Sequence, residues 1–169
     1  MNKKVGVLRY LGVIGLVLTL PVAWASAPTD ARDNDIILTV AGQIQPAGPL
    51  QFSLQALQAL PHREITTSTA VTDGVFRFQG VLLRDLLDSV SAKGEIIEAE
   101  ATNGYSTDIP WVDTQSFDVL VAWAVDGVLL DPSDKGPLWI VYPRDQFREL
   151  QDIRYDYRWV WLLNRLTIK

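Results

Sequence analysis

Residues Val75 to Val90, VFRFQGVLLRDLLDSV, change hydrophobic period part-way along. Val75, Phe76 and Phe78 follow an Asp73-Gly74 turn as a short strand. Leu83, Leu86, Leu87 and Val90 then fall at i, i+3, i+4 and i+7, one apolar stripe of a 3.6-residue helix, with Gly94 placed to end it. A strand followed directly by an amphipathic helix predicts a mixed α and β domain.

The flanking sequence extends that reading. Ile36 to Val40 is β-rich and apolar, and Gly42 to Pro49 breaks it with Gly and Pro. Ser53 is placed to cap a short helix over Leu54, Leu57 and Leu60, which Pro61 closes. Arg63 to Thr72 is rich in Thr, Ile and Val and reads as extended. Ile96 to Ala101 alternates, with Glu98 and Glu100 on one wet face. Val119 to Val125 is apolar throughout, as in a strand covered on both faces, and Asp126-Gly127 turns it into Val128 to Leu130. Leu138 to Tyr142 and Trp159 to Ile168 supply two more strands, and a short helix follows Trp111. The expectation is one α+β domain over residues 36–169, mainly strands, with two or three short helices.

Upstream, residues 1–27 read as a secretory signal peptide. Lys3 and Lys4 give a positive start, and Leu11 to Leu20 is apolar. Ala23-Trp24-Ala25 or Ala25-Ser26-Ala27 gives the small-x-small cleavage pattern. An uncleaved anchor is the competing reading, but Arg9 and Pro21 leave the apolar run at about half of the roughly 20 residues a span needs. No twin arginines are present. Residues 28–35 form a polar lead-in. The expected location is therefore the periplasm, with no stable membrane insertion after cleavage.

Charge and composition exclude several classes. Removing three of the 15 bases with the leader leaves 12 against 20 acids. Such a balance disfavours nucleic acid and anionic membrane surfaces. The absence of cysteine excludes disulfides, thiolate metal sites and cysteine nucleophiles. One histidine, His62, leaves little for a Ser-His-Asp hydrolase. Asp126, Asp131 and Asp134 lack the spacing of a calcium loop and read as turn residues. The aromatic residues concentrate in the C-terminal two-thirds, and Trp159 and Trp161 fall on one side of a strand. Most such residues are core, Trp123 above all, while one or two are free to stack on a flat ligand.

From about Val40 onward the chain resembles the molybdopterin-binding domain of the sulfite oxidase superfamily. The residues carrying the resemblance are Phe78-Gln79-Gly80-Val81 with Leu82-Leu83 and Leu86-Leu87, then Ala101-Thr102-Asn103-Gly104-Tyr105 with Ile109-Pro110 and Asp113. Ala122 and Asp126-Gly127 follow, with Gly136-Pro137-Leu138-Trp139, Tyr142-Pro143 and Trp159-Val160-Trp161 with Leu163. Catalytic members hold molybdenum through a cysteine before the Phe-Gln-Gly-Val equivalent. Here that segment is ITTSTAVT, residues 65–72, and Thr69 or Ala70 takes the cysteine's place. Neither side chain substitutes for a soft thiolate.

A cysteine-free exported member resembles the small periplasmic pterin-binding proteins of the PruR type. The resemblance implies a non-catalytic protein that binds a reduced pterin, holds no molybdenum, and reports to the periplasmic domain of an inner-membrane signalling enzyme of cyclic di-GMP metabolism. A pterin presents N3–H and a 2-amino group to a carboxylate, an oxo group to donors, and two faces to aromatic rings. The candidates are Asp108 or Asp113 for the carboxylate, Asn103 and Tyr105 for edge hydrogen bonds, Trp161 as a stacking wall, and Tyr142 and Arg144 at the rim. Asp113 equally suits a helix cap, Tyr105 and Trp139 the core, and Asn103-Gly104 a turn. The alternatives are a molybdopterin-dependent oxidoreductase subunit and an interaction module with no ligand.

Overall fold

The computed structural model describes residues 35–169, so the expected signal peptide and nearly all of the lead-in lie outside the described residues. Strand β1 (Ile36–Gly42) is followed by β2 (Leu50–Ser53) and helix α1 (Leu54–Gln58), whose N-cap Ser53 accepts a hydrogen bond from Ala56 N at 3.2 Å. Next come β3 (His62–Ser68), β4 (Val75–Leu82), α2 (Leu83–Ser89), β5 (Ile96–Ala101), β6 (Ser106–Pro110) and α3 (Trp111–Ser116). The chain continues with β7 (Leu120–Val125), β8 (Val128–Leu129), β9 (Trp139–Val141), a 3-10 turn (Arg148–Gln151), α4 (Ile153–Asp156) and β10 (Leu163–Ile168).

Two five-stranded sheets result. One runs β2-β1-β10-β5-β6, and the other runs β3-β4-β7-β8 with β9 also on β7. All pairings are antiparallel except β1 with β10, where Thr39 faces Arg165. One hydrophobic cluster draws on both sheets, with Leu38, Ile97 and Leu166 from the first and Phe78, Val121 and Trp123 from the second. The apolar stripe of α2 is buried as its period predicts, through Leu83, Leu86 and Leu87. Glu98 and Glu100 pair with Lys169 at 3.1 Å and Arg165 at 4.0 Å, as expected of a wet strand face. Asp131 accepts from Ser133 N at 2.8 Å within its own turn, and Asp126, in the turn after β7, accepts from Arg77 N of β4 at 3.0 Å.

Four details differ from the sequence expectation. Strand β4 runs unbroken into α2 because Gly80, at a bulge, lets it approach β7; a Cβ there would sit 2.1 Å from Val121 O. Gly94 does not stop α2, which ends at Ser89 with Ser91 at φ +49°; instead Gly94 makes room for Lys169 O, 2.5 Å from an added Cβ. The last strand starts at Leu163 rather than Trp159, because Leu162 takes φ +56° and bonds to Lys135 O, leaving Trp161 in a single bridge to Trp139. A fourth short helix, α4, forms where no helix was expected, capped by Asp152, which accepts from Arg154 N at 2.9 Å.

Candidate functional site

Three segments meet at one cleft of about 400 Å³, within the roughly 300–1,000 Å³ of small-molecule sites. The loop after β3 contributes Ala70 and Val71. The β5–β6 turn contributes Asn103 and Tyr105, and the stretch from α4 onward contributes Ile153, Asp156, Tyr157, Trp159 and Trp161.

Each segment is held by local chemistry. Thr69 is buried and its Oγ1 closes its own turn, bonding to Thr72 Oγ1 at 2.6 Å and accepting from Val71 N and Thr72 N. That leaves Ala70, of the two positions at which the cysteine was sought, to present a methyl group to the cleft. The loop is anchored by Asp145, whose two carboxylate oxygens accept from Ser68 N and Ser68 Oγ, each at 2.6 Å. Those bonds hold the Asp145 carboxyl below the usual carboxylate range. On the second segment, Asn103 Oδ1 accepts from Tyr105 N at 3.0 Å across Gly104, whose φ of +86° suits glycine. The expected turn role and the cleft position thus coexist in Asn103. Tyr105 Oη donates to Tyr157 O at 2.5 Å, tying the second segment to the third.

The wall of the third segment is aromatic. Trp159 is buried and Trp161 half-buried, and Trp139 lies edge-on behind both, 6.2 and 6.5 Å away between ring centroids. Behind them Asp113, 4% exposed, accepts from Tyr142 Oη at 2.9 Å and from Arg158 Nη1 at 2.5 Å. Arg158 also lies over the Tyr155 ring at 4.6 Å. Burial, reinforced by the neighbouring Asp113 carboxylate, pushes the Tyr142 hydroxyl well above the ordinary phenol range, so it remains a donor.

Of the residues expected at the site, Asn103, Tyr105 and Trp161 line the cleft, and Arg144 stands beside it, its Nε 3.7 Å from Asp156 Oδ1. Tyr142 and Asp113 are brought together, but in the protein interior behind the wall. Asp113 does not cap α3, whose start has no side-chain cap. Asp108 lies elsewhere, exposed on β6 with Lys169 Nζ 3.6 Å away. The carboxylate that does line the cleft is Asp156, which sequence reasoning missed together with Tyr157 and Trp159. The signal for it was the Asp152 cap of a one-turn helix within an aromatic-dense stretch.

Buried polar side-chain atoms normally find hydrogen-bond partners. Among the described residues, the atoms that lack one are Asp156 Oδ1, Arg144 Nε, Trp159 Nε1 and Trp139 Nε1. The first and third belong to residues lining the cleft, the second pairs with Asp156, and the fourth backs both cleft indoles. Two of these four atoms thus belong to residues that line the cleft.

Residues 25–149 match the family described as oxidoreductase molybdopterin binding domain. Among solved structures, the sulfane dehydrogenase SoxCD from Paracoccus pantotrophus matches with a TM-score of 0.62 at 21% identity, over 80% of this chain and 38% of that one. The likeness is one of fold, and this chain spans well under half of that protein. A search of curated proteins finds no match. The cleft does not fit a molybdenum centre anchored by the protein. The chain has no cysteine, Ala70 presents no donor atom, and the described residues place no group of three His, Asp or Glu side chains for a metal. With its mainly-β architecture and a family match over most of its length, the chain belongs to the oxidoreductase molybdopterin-binding domain family.

Proposed function

We propose that this protein is a non-catalytic, periplasmic member of its family that binds a reduced pterin. Occupancy would be relayed to the periplasmic domain of an inner-membrane signalling enzyme of cyclic di-GMP metabolism. The observation carrying this reading is the cleft itself: it has aromatic walls and a polar edge, while the loop after β3 presents only the apolar side chains of Ala70 and Val71. Trp161 and Trp159 suit the flat faces of a pterin, and Asp156 suits its adjacent N–H donors. The family's cofactor is itself a pterin derivative, so loss of the metal anchor is compatible with retained ring recognition.

The relay is supported by the rim. Val71, Tyr105, Ile153 and Tyr157 are all large apolar residues left exposed around the mouth. Exposed apolar groups gathered at one place mark contact surfaces. The acidic net charge of −5 would steer encounter with a basic partner. No helix among the described residues is long and apolar enough to cross a membrane.

Native mass spectrometry of the exported protein, purified in oxygen-poor reducing buffer, tests the reading. A bound mass equal to a reduced pterin, without molybdenum, is the expected result. A molybdenum-bearing mass would instead support an oxidoreductase subunit. A polypeptide that stays bare after pterins are added would leave an interaction module.

A further inference from the structure

We infer that the cleft selects a pterin-type ring free of phosphate, read by the Asp156 carboxylate, and rejects phosphorylated forms of the same ring. The inference rests on the reading of the cleft as a pterin site and adds its charge selectivity. No lysine or arginine lines the cleft, and Asp156 is the one charged residue that does. Three arginines adjoin the lining residues, and each is committed to a carboxylate. Arg144 pairs with Asp156 at 3.7 Å, Arg154 with Asp152 at 2.9 Å, and Arg158 with Asp113 at 2.5 Å.

Proteins hold phosphate with free arginine or lysine side chains, or with backbone N–H groups at a helix start. Helix α4, with four residues, is too short for the latter, and it turns its C-terminal residue Asp156 to the cleft. A phosphate brought here would meet a carboxylate in a lining without Lys or Arg, and the nearest guanidinium, Arg144, already faces that carboxylate. A ring edge with two adjacent N–H groups would meet the same carboxylate favourably. Asp156 Oδ1 faces Arg144 Nε at 3.7 Å but accepts no hydrogen bond, so the carboxylate keeps accepting capacity for a ring N–H.

The test is titration of the exported protein with hydroxymethyl dihydropterin and with its diphosphate ester, followed by ligand fluorescence. The ester should bind ~10-fold more weakly or worse, and the gap should narrow as salt rises. Val71→Lys places a cation at the mouth and should recover ester binding. Asp156→Asn should weaken the unphosphorylated ring ~10-fold, with folding verified by an unchanged circular dichroism spectrum. Equal affinity for the two ligands would overturn the charge selectivity while leaving the pterin reading in place. Failure of either ligand to bind would overturn the pterin reading, and the selectivity with it.

Discussion

Arg158 Nη1 stands 2.5 Å from Asp113 Oδ2, across 45 residues of sequence. Asp113 is in the first turn of α3 and does not line the cleft, whereas Arg158 lies between Tyr157 and Trp159, which do. The pair therefore fixes the aromatic wall from behind. Tyr142 completes the brace through its bond to the same carboxylate oxygen. An interior carboxylate that does not line the cleft is thus tied to the segment that does.

Asp113→Ala should cost about 3 kcal/mol of stability. Removing one partner of a buried pair leaves the other uncompensated, and Arg158 retains some access to water, which puts the loss at the lower end of the usual range. Tyr142→Phe should cost less, about 1 kcal/mol, because the ion pair survives. Urea denaturation midpoints give the comparison. Equal losses for the two variants would show that the ion pair is not the dominant part of the brace.

The Asp145–Ser68 clamp has a pH signature. Its carboxyl is held below the usual range first by the Ser68 hydroxyl and then by the Ser68 backbone N–H. A depressed folded value means that the contribution is present above the unfolded value and is lost as pH falls through the folded one. Asp145→Asn should therefore melt lower than the parent at neutral pH, with the gap closing below about pH 4. A gap that persists unchanged to pH 2 would contradict this account.

Much of this arrangement could be read from the sequence where period and capping act locally. The α2 stripe, the Ser53 cap and the apolar β7 run follow from residues a few positions apart. Asn103, Tyr105 and Trp161, which lie in the segments that carry the resemblance, line the cleft. Asp108 and Asp113 do not line the cleft, and the reason is physical. An acid's role depends on which distant group faces it, here Lys169 for one and Arg158 with Tyr142 for the other. Asp156 was missed because its place depends on α4, four residues long and too short to leave a periodic signal.

Trp161→Ala tests the stacking wall. Trp161 is half-buried and meets Trp139 edge-on at 6.5 Å, so truncation trims the cleft without opening the centre of the core. Pterin affinity should fall about tenfold, the scale of losing one aromatic contact and its buried area, while the denaturation midpoint changes little. Unchanged affinity by calorimetry would remove Trp161 from the site.

Ala70→Cys turns the missing anchor into a probe. The chain has no other cysteine, so every labelling event reports this position. Ala70 is exposed and lines the cleft, and the adjacent Thr69–Thr72 bonds do not involve its side chain, so the substitution should leave the turn intact. The new thiol should react with Ellman's reagent in the folded protein at the rate of an open site. A bound pterin should slow that reaction in proportion to its occupancy, giving an affinity independent of ligand fluorescence. If labelling is fast and saturating pterin does not slow it, the ligand lies away from Ala70. A thiol that reacts only after denaturation would mean that the loop after β3 does not present this side chain to the cleft.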